Sequence, residues 1–319
     1  MRKTLSAILP IVDVLMLPFT YVAAIYLWLI RRAGVQRLKL CKMALLQVGV
    51  FPVRRHYYEP RFDFKDLDTP LDKPRNLPGI DWNADRQLSL LNEFSAESEL
   101  ADLPKSRVDD VTYYLENPNF KSGDAEFLYQ LIRAKKPKRI VEVGSGHSTL
   151  IAIKATDKNQ ADDPGYSCEH TCIEPYEMLW LEKTKVKVLR ERVEKIDQAL
   201  FASLQPNDIL FIDSSHMIRT QGDVLCEFLE ILPIVPVGVI VHIHDIFSPL
   251  DYPKDWLEGE VRFWNEQYLL EAFLSMNPHW QIVGAVNYLK HNHYAELKRT
   301  CPHLTPEREP GSFYIQRIS

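Results

Sequence analysis

This sequence has few cysteines and no excess of positive charge. The 319 residues carry 38 lysines and arginines against 43 aspartates and glutamates, a net charge of −5. A dedicated nucleic-acid binder has a basic surface, so we predict no nucleic-acid partner. The five cysteines are odd in number and scattered, which excludes a disulfide framework and is typical of a reducing compartment. They are Cys41, Cys168, Cys172, Cys226 and Cys301.

The cysteines do not form the pattern of a zinc site either. Cys168, His170 and Cys172 alternate along an apparent strand, and no second pair of ligands follows nearby. Structural zinc sites take four ligands, usually as two close pairs. We therefore interpret these three residues as part of a strand.

Glycine is scarce too, with 12 residues, yet Gly144 and Gly146 stand one residue apart. They separate an apolar run at residues 140–143 from another at residues 150–153. This order predicts a strand, a tight turn and the start of a helix. Such a turn brings backbone amides close to a nucleotide-like ligand, although a plain compact connection has the same pattern. Ser148 or Thr149 replaces the third glycine of the dinucleotide fingerprint, which disfavours NAD.

One long apolar stretch lies at residues 8–30, where Asp13 is the only charge. A helix of this length, at about 1.5 Å per residue, crosses the hydrocarbon of a bilayer. Asp13 and the prolines at positions 10 and 18 oppose a simple span. A re-entrant or interfacial hairpin is the first alternative, and a cleaved signal peptide is the second.

Basic residues flank this stretch unequally. Five lysines and arginines occur in residues 31–42, against Arg2 and Lys3 before it. The positive-inside rule therefore predicts that the downstream part faces the cytoplasm. Residues 43–51 either lie on the membrane surface or form a piece of core helix.

The remaining chain divides into a linker and a catalytic domain. Prolines recur between residues 52 and 104, so we predict a linker at residues 43–110 with one helix at residues 82–94. The anchor and its basic flank are residues 1–42, and the catalytic domain is residues 111–319. We find no internal repeat.

Apolar runs alternate with helical patterns in the catalytic domain. Each run is nearly continuous, as in strands of a parallel sheet with helices on both faces. The predicted fold class is therefore α/β, a doubly wound and mostly parallel sheet. The predicted strands are residues 140–143, 167–174, 186–189, 207–213, 238–245, 281–289 and 311–318.

Acidic residues or histidines end several of these strands. Ligands of such sheets bind beyond the carboxyl ends of the strands, so we predict the site at that rim. The residues concerned are Glu142, Glu174, Asp213, His244 and Asp245.

Four motifs carry a resemblance to a known family. They are Glu-Val-Gly-Ser-Gly-His-Ser-Thr at 142–149, Ile-Glu-Pro at 173–175, Phe-Ile-Asp-Ser-Ser-His at 211–216 and Val-His-Ile-His-Asp-Ile-Phe at 241–247. In this order they resemble class I S-adenosylmethionine-dependent methyltransferases, in particular methyltransferase family 24. The resemblance covers residues 78–319. It implies a Rossmann-like sheet of seven strands whose last strand is antiparallel, and S-adenosylmethionine as the cofactor.

The resemblance also implies roles for cofactor-binding residues. Gly144 and Gly146 approach the methionine part of the cofactor, and Glu142 holds its amino group. Glu174 binds both ribose hydroxyls, because one carboxylate accepts two hydrogen bonds. Asp197, after the third strand, is the candidate for the adenine edge.

Two strand ends resemble the magnesium site of catechol-type O-methyltransferases. Asp213, His244 and Asp245 are the candidate ligands of Mg²⁺, and Asp213 also borders the cofactor. Without a metal, His244 or His216 is the candidate general base, because imidazole titrates near neutral pH. Asp245 is either part of this catalytic group or a cap of the next loop. His242, on the same strand, is interpreted as a core or supporting residue.

The loop at residues 246–256 and the helix start at residues 262–270 are predicted to cover the acceptor. In this segment Tyr252, Trp256 and Trp264 are candidates for stacking, and Arg262, Asn265 and Glu266 for hydrogen bonding. Trp264 and Tyr268 could instead dock the helix on the sheet.

The predicted activity is methyl transfer to an oxygen of a glycan, a lipid-linked or a secondary-metabolite acceptor at the cytosolic membrane face. An inactive membrane-tethered scaffold is the first alternative, and an NAD(P)-dependent oxidoreductase is the second.

Overall fold

An unbroken helix α1, Arg2–Ala33, opens the chain in the computed structural model, which describes the backbone of residues 2–319 and the side chains of residues 8–319. The side chains of Arg2 and Lys3 lie outside the described residues. The part Ile8–Ala33 has a mean hydropathy of 2.1, and its apolar side chains are exposed except for the half-buried Leu27 and the buried Ile30. This helix is long and apolar enough to cross a membrane, and its position near the N-terminus also fits a signal sequence.

The rest of the first unit, Met1–Thr69, is mostly irregular. Helix α2, Lys39–Val48, ends at Gly49, whose φ of 80° is the left-handed conformation common after a helix. All its residues are exposed or half-buried. A single turn at Phe64–Asp66 begins where the Asp63 carboxylate accepts a hydrogen bond from the Lys65 amide.

The second unit, Pro70–Ser319, contains a seven-stranded sheet with the strand order β3-β2-β1-β4-β5-β7-β6. Strands β1 to β5 are parallel to one another, and β7 is antiparallel to both β5 and β6. This arrangement confirms the fold class that the sequence predicted. The strands are β1 Arg139–Val143, β2 Glu169–Ile173, β3 Lys187–Leu189, β4 Ile209–Ile212, β5 Ile240–Ile243, β6 Trp280–Ala285 and β7 Phe313–Arg317.

Apolar side chains alternate between the two faces of the sheet. Ile140 and Phe211 pack on one side with helices α3 to α6, α10 and α11, whereas Val141 and Ile212 pack on the other with α7 to α9. The helices are α3 Ala84–Glu93, α4 Glu97–Leu100, α5 Asp124–Lys135, α6 His147–Asp162, α7 Ala199–Ala202, α8 Asp223–Cys226, α9 Glu266–Leu274, α10 Val286–Asn292 and α11 Tyr294–Thr300.

Two of the predicted elements differ from the structure. The predicted strand at residues 281–289 ends at Ala285, because Val286 and Leu289 bury one side of helix α10 at helical spacing. Helices α10 and α11 follow, between the last two strands of the chain. The second unit also begins at Pro70, inside the predicted linker, and α3 and α4 bury Leu90, Leu91 and Leu100 in the core.

Candidate active site

The turn between β1 and α6 requires glycine at its first position. Gly144 has a φ of 75°, and a Cβ atom there would lie 1.8 Å from the carbonyl oxygen of Asp213. Its amide donates to the carbonyl of Ile173 over 3.0 Å. Gly146 is open by comparison, since the nearest atom to an added Cβ is Cε of Met178 at 3.8 Å. The turn is therefore packed against β2 and β4 at Gly144 and faces a cavity at Gly146.

Two adjoining cavities lie at the carboxyl ends of the parallel strands. The larger, about 560 Å³, reaches from the glycine turn to the ends of β4 and β5. The smaller, about 430 Å³, lies toward β2 and β3 and shares Gly144, Glu174, Asp213 and two serines with the first. Together they provide a continuous groove at the edge where α/β sheets bind ligands.

Glu174 is at the boundary between the two cavities. One oxygen of its carboxylate accepts hydrogen bonds from the amides of Tyr176, at 3.1 Å, and Glu177, at 2.9 Å. The other accepts from the amide of Ser145 at 3.4 Å. These amides orient the carboxylate at the end of β2, next to the glycine turn, where the sequence analysis expected it.

Glu142, by contrast, lies below the turn rather than in the cavity. Its Oε2 accepts from Thr149 Oγ1 at 2.6 Å and contacts His170 Nε2 at 2.9 Å and Cys172 Sγ at 3.3 Å. Gly146 N donates to Thr149 Oγ1 at 3.1 Å. The contact of Glu142 with the amino group of the cofactor stays a prediction, and in this structure the side chain supports the turn from the core side.

Asp197, the acid predicted at the adenine edge, lines neither of the two cavities. Asp197 is exposed, and its carboxylate accepts from the amide of Ala199 at 2.9 Å at the start of helix α7. Glu194, three residues earlier, lines the smaller cavity instead. Its Oε1 is buried and has no hydrogen-bond partner within residues 8–319. Both acids follow β3 closely in sequence, and the path of the chain after β3 determines that Glu194 rather than Asp197 lines the cavity.

His216 is the centre of the polar group at the ends of β4 and β5. Its Nε2 lies 3.2 Å from Asp213 Oδ1 and 3.5 Å from Asp245 Oδ2, and its Nδ1 lies 2.8 Å from Glu266 Oε2. Burial lowers the pKa of the imidazole, but the hydrogen bonds to Asp213 and Glu266 outweigh burial and bring the pKa well above its usual value. The ring is thus held by carboxylates on both nitrogens.

The potential metal ligands differ from the expected set in one residue. Ligand atoms of Asp213, His216 and Asp245 all lie within 4.8 Å of one another. His244, which the sequence analysis placed in this set, lines the cavity with its Nε2 3.6 Å from Asp245 Oδ1, and its ring packs on Phe120. Two carboxylates and one imidazole suit a divalent cation such as Mg²⁺ with water completing the shell.

Glu266 and Asn265 hold the His216 loop rather than face the cavity. Glu266, the first residue of α9, is fully buried, and burial raises the pKa of its carboxyl. The amide of Asn265 donates to the carbonyl of His216 at 3.0 Å, and its side chain accepts from the amide of Ile218 at 2.7 Å. The expected hydrogen bonds from these two residues to an acceptor are therefore wrong.

Among the other lid candidates, Trp256, Arg262 and Trp264 line the larger cavity. Tyr252 is buried, and its hydroxyl oxygen accepts from the amide of Gln267 at 3.1 Å. Tyr268 is bonded to Asp251 at the surface. The aromatic wall of the cavity thus consists of two tryptophans in edge-to-face contact, both of which contact Arg262.

His242 lies in the core, as interpreted from the sequence. Its ring stacks on Phe211 with a centroid distance of 3.9 Å, and burial lowers its pKa well below the usual value. It is a neutral ring in the sheet interior.

Comparison with known proteins agrees with this architecture. Residues 141–246 match the model of a family described as a methyltransferase domain. An uncharacterized protein of Archaeoglobus fulgidus is 30% identical over 192 residues, which are 55% of this chain and 85% of that protein.

Solved structures of low identity are similar as well. An O-methyltransferase from Bacillus cereus in complex with SAH is 14% identical, covers 75% of this chain and 98% of its own, and has a TM-score of 0.37. The O-methyltransferase TomG from Streptomyces achromogenes, in complex with SAM, is 16% identical, covers 72% and 90%, and has a TM-score of 0.35.

The family match runs from within β1 to just beyond β5 and includes the four motifs of the sequence analysis except Phe247, the last residue of the fourth. The chain belongs to the class I S-adenosylmethionine-dependent methyltransferases, in the family whose model it matches.

Proposed function

We propose that this protein transfers a methyl group from S-adenosylmethionine to a hydroxyl oxygen of a small acceptor in the larger cavity. The observation that carries the proposal is the position of His216, whose Nε2 lies between Asp213 and Asp245 at the cavity while Glu266 bonds to its Nδ1.

The groove fits the cofactor in shape and charge. The open face of Gly146 leaves room for the methionine part, and Glu174 Oε2, whose one hydrogen bond is the long 3.4 Å bond from Ser145, has a lone pair left for a ribose hydroxyl. The unpartnered oxygen of Glu194 in the smaller cavity suits the amino group of adenine. When bound, S-adenosylmethionine supplies an electrophilic methyl on a positively charged sulfur, which the acids Asp213 and Asp245 favour electrostatically.

His216 is the general base in this proposal. Because the carboxylates raise its pKa, the ring acts from its neutral form, whose fraction grows with pH, so methyl transfer should become faster as the pH rises. A hydroxyl becomes a nucleophile when its proton is removed, and a positioned imidazole contributes about 10²–10⁴-fold to such a step. The Glu266 carboxylate holds the ring by Nδ1 and stabilises the imidazolium that forms. His244, which also lines the cavity, is the second candidate for the base. Alternatively, Asp213, His216 and Asp245 would hold Mg²⁺, which would polarise the acceptor oxygen.

The acceptor is proposed to be a glycan, a lipid-linked molecule or a secondary metabolite reached from the cytoplasmic face of a membrane. The exposed apolar surface of Ile8–Ala33 and the basic residues after it support this location. The division into an anchor at residues 1–42, an extension at residues 43–110 and a methyltransferase domain at residues 111–319 belongs to the same proposal.

The cofactor is tested by calorimetric titration of the detergent-purified protein with S-adenosylmethionine and with NADH, each with and without Mg²⁺. We expect micromolar binding of S-adenosylmethionine that Glu174→Ala abolishes. Glu182→Ala, which removes an exposed acid paired with Arg190, is the matched control and should bind normally. Absence of S-adenosylmethionine binding would favour the scaffold alternative, and tight NADH binding would contradict the proposed cofactor.

The anchor is tested by fractionation of cells that express the full chain or a form without residues 1–42. The full chain should sediment with membranes and resist alkaline extraction, and the shortened form should be released. Sedimentation of both forms would contradict the role of residues 1–42.

A further inference from the structure

An arginine in contact with two tryptophan rings borders the larger cavity. The guanidinium carbon of Arg262 lies 4.4 Å from the ring centroid of Trp256 and 4.2 Å from that of Trp264. The two rings meet nearly at right angles, with centroids 5.3 Å apart, so the guanidinium lies in the corner between them. The amide of Arg262 donates to the carbonyl of Trp256 at 2.9 Å, which closes the loop that presents the three side chains. We call this group the arginine corner, and its two cation–π contacts hold the guanidinium in place.

The arginine corner lies beside the proposed base. The ring of Trp264 packs on that of His216 with a centroid distance of 4.3 Å. The guanidinium and the imidazole therefore contact the same indole ring. A molecule whose hydroxyl reaches His216 can place a second group, at most about a ring's width away, against Arg262.

The charge of Arg262 is opposite to that of the acids that line the cavity. Among the described residues that line it, Arg262 is the only lysine or arginine, whereas Glu174, Glu177, Asp213 and Asp245 are acids. The acids suit a positively charged cofactor. A fixed cation in the same space disfavours that cofactor unless a negative charge from another molecule accompanies it.

Glu260, the one ion-pair partner of Arg262 within residues 8–319, does not supply the negative charge that would offset Arg262 in the cavity. Arg262 Nε donates to Glu260 Oε2 at 2.6 Å, but the Glu260 side chain is 49% exposed. An exposed pair of this kind contributes little. The guanidinium has five N–H donors, and two carboxylate or phosphate oxygens match its planar edge.

We propose that Arg262 binds an anionic group of the methyl acceptor, so that the substrate is a hydroxy acid or a hydroxyl-bearing phosphate rather than a neutral alcohol. This inference rests on the proposed function, because it assigns His216 and Arg262 to two ends of one acceptor. Carboxylate and phosphate share the chemistry that Arg262 recognises. Free and membrane-bound acceptors of this class fit equally.

Tryptophan fluorescence tests the anion site directly, because both indoles touch the guanidinium. The detergent-purified full chain is titrated with inorganic phosphate at constant ionic strength, with chloride as the replaced anion. We expect a saturable change that is at least tenfold weaker in Arg262→Gln and intermediate in Arg262→Lys, which keeps the charge but loses the planar fork. Glu260→Gln removes a competing carboxylate and should tighten phosphate binding severalfold.

Lys254→Gln is the matched control, since Lys254 is an exposed cation of the same segment and pairs with Glu258 outside the cavity. Its response should equal that of the unmodified protein. An equal response in Arg262→Gln, or no saturable response in the unmodified protein, would overturn the inference.

Binding of S-adenosylmethionine, measured by calorimetry on each variant, separates this inference from the proposed function. Arg262→Gln should bind the cofactor normally, which also shows that the variant is folded. Loss of the phosphate response with normal cofactor binding supports both assignments. Normal cofactor binding without any effect of Arg262 on phosphate would contradict the inference alone, and failure of the unmodified protein to bind cofactor would contradict the proposed function.

Discussion

Two polar clusters of similar composition lie on neighbouring strands of one sheet. The turn cluster consists of Glu142, Thr149, His170 and Cys172 below the glycine turn, and the rim cluster consists of Asp213, His216, Asp245 and Glu266. In each, a histidine nitrogen bonds to a buried carboxylate, at 2.9 Å and 2.8 Å respectively. Each also brings three potential metal ligands within 4.8 Å.

The clusters differ in their access to the cavity. Glu142, Thr149 and Cys172 are fully buried, whereas the side chains of Asp213 and Asp245 are 32% and 18% exposed and line the cavity. A histidine beside a carboxylate is therefore not evidence of catalysis by itself. It becomes a candidate only where a ligand can reach it.

The turn cluster has a structural explanation without any ligand. Glu142 accepts from Thr149, and Thr149 accepts from the amide of Gly146. This chain of hydrogen bonds connects the interior of β1 to the turn that borders the cavity. We infer that the turn cluster fixes the turn and the rim cluster performs the chemistry.

The largest effect is expected at the rim. His216→Gln keeps an amide to bond with Glu266 but cannot take a proton, so methyl transfer per folded molecule should fall by about 10²–10⁴-fold. Because the buried Glu266 carboxylate loses a charged partner, stability should also fall, by about 1–3 kcal/mol. The measurement is S-adenosylhomocysteine formation with hydroxy-acid acceptors, together with urea unfolding. His291→Gln, at an exposed histidine paired with Glu309, is the control. A normal rate of methyl transfer in His216→Gln would contradict the assignment of the chemistry to the rim cluster.

The two glycines between the clusters should respond differently to alanine. Gly144→Ala forces a Cβ against the Asp213 carbonyl at a φ of 75°, so we expect a loss of more than about 3 kcal/mol in the free energy of unfolding. Gly146→Ala should fold normally, since its Cβ meets only Met178, and weaken cofactor binding instead. Urea unfolding and calorimetry distinguish these outcomes, and equal stability of both variants would contradict the packing argument.

The sequence predicted the elements of this site whose geometry is local. The strand, turn and helix around Gly144 follow from glycine spacing and apolar runs, and the positions of Asp213 and Asp245 follow from the ends of their strands. The alternation along β1 could also have predicted the position of Glu142. Side chains two residues apart in a strand lie on the same face, so Glu142 lies on the face of Ile140, which packs on the helices of the core.

What the sequence did not predict depends on contacts between distant segments. Glu266 is 50 residues from His216, and no periodic pattern relates the two. Glu194 and Asp197 are equivalent acids in a short irregular stretch, and the turn at Val193–Lys195 decides which one faces the groove. Side-chain direction in such loops is set by tertiary packing rather than by local propensity.

Glu142→Gln should lower stability without the large loss of rate expected for His216→Gln. The amide loses charge-assisted hydrogen bonds from Thr149 and His170 and presents its own donors to them, which costs about 1–3 kcal/mol of stability. Cofactor affinity should fall through the loosened turn, while the rate at saturating cofactor stays within a few fold. A large loss of rate with unchanged stability would instead place Glu142 in the chemistry.

The smallest effect is expected at His242, a histidine that belongs to neither cluster. Burial depresses its pKa in the folded protein, so the unfolded chain binds a proton below about pH 6.5 that the folded chain does not. This residue therefore favours unfolding as the pH falls, by at most about 1.4 kcal/mol per pH unit below that value.

His242→Phe keeps the stack on Phe211 and removes the proton site, so its stability should decline less between pH 6.5 and 5. Urea unfolding at both pH values measures the difference. Equal declines in stability for the two proteins would show that solvent reaches His242. The interior of β5 would then not be closed to solvent, as the comparison with the rim assumes.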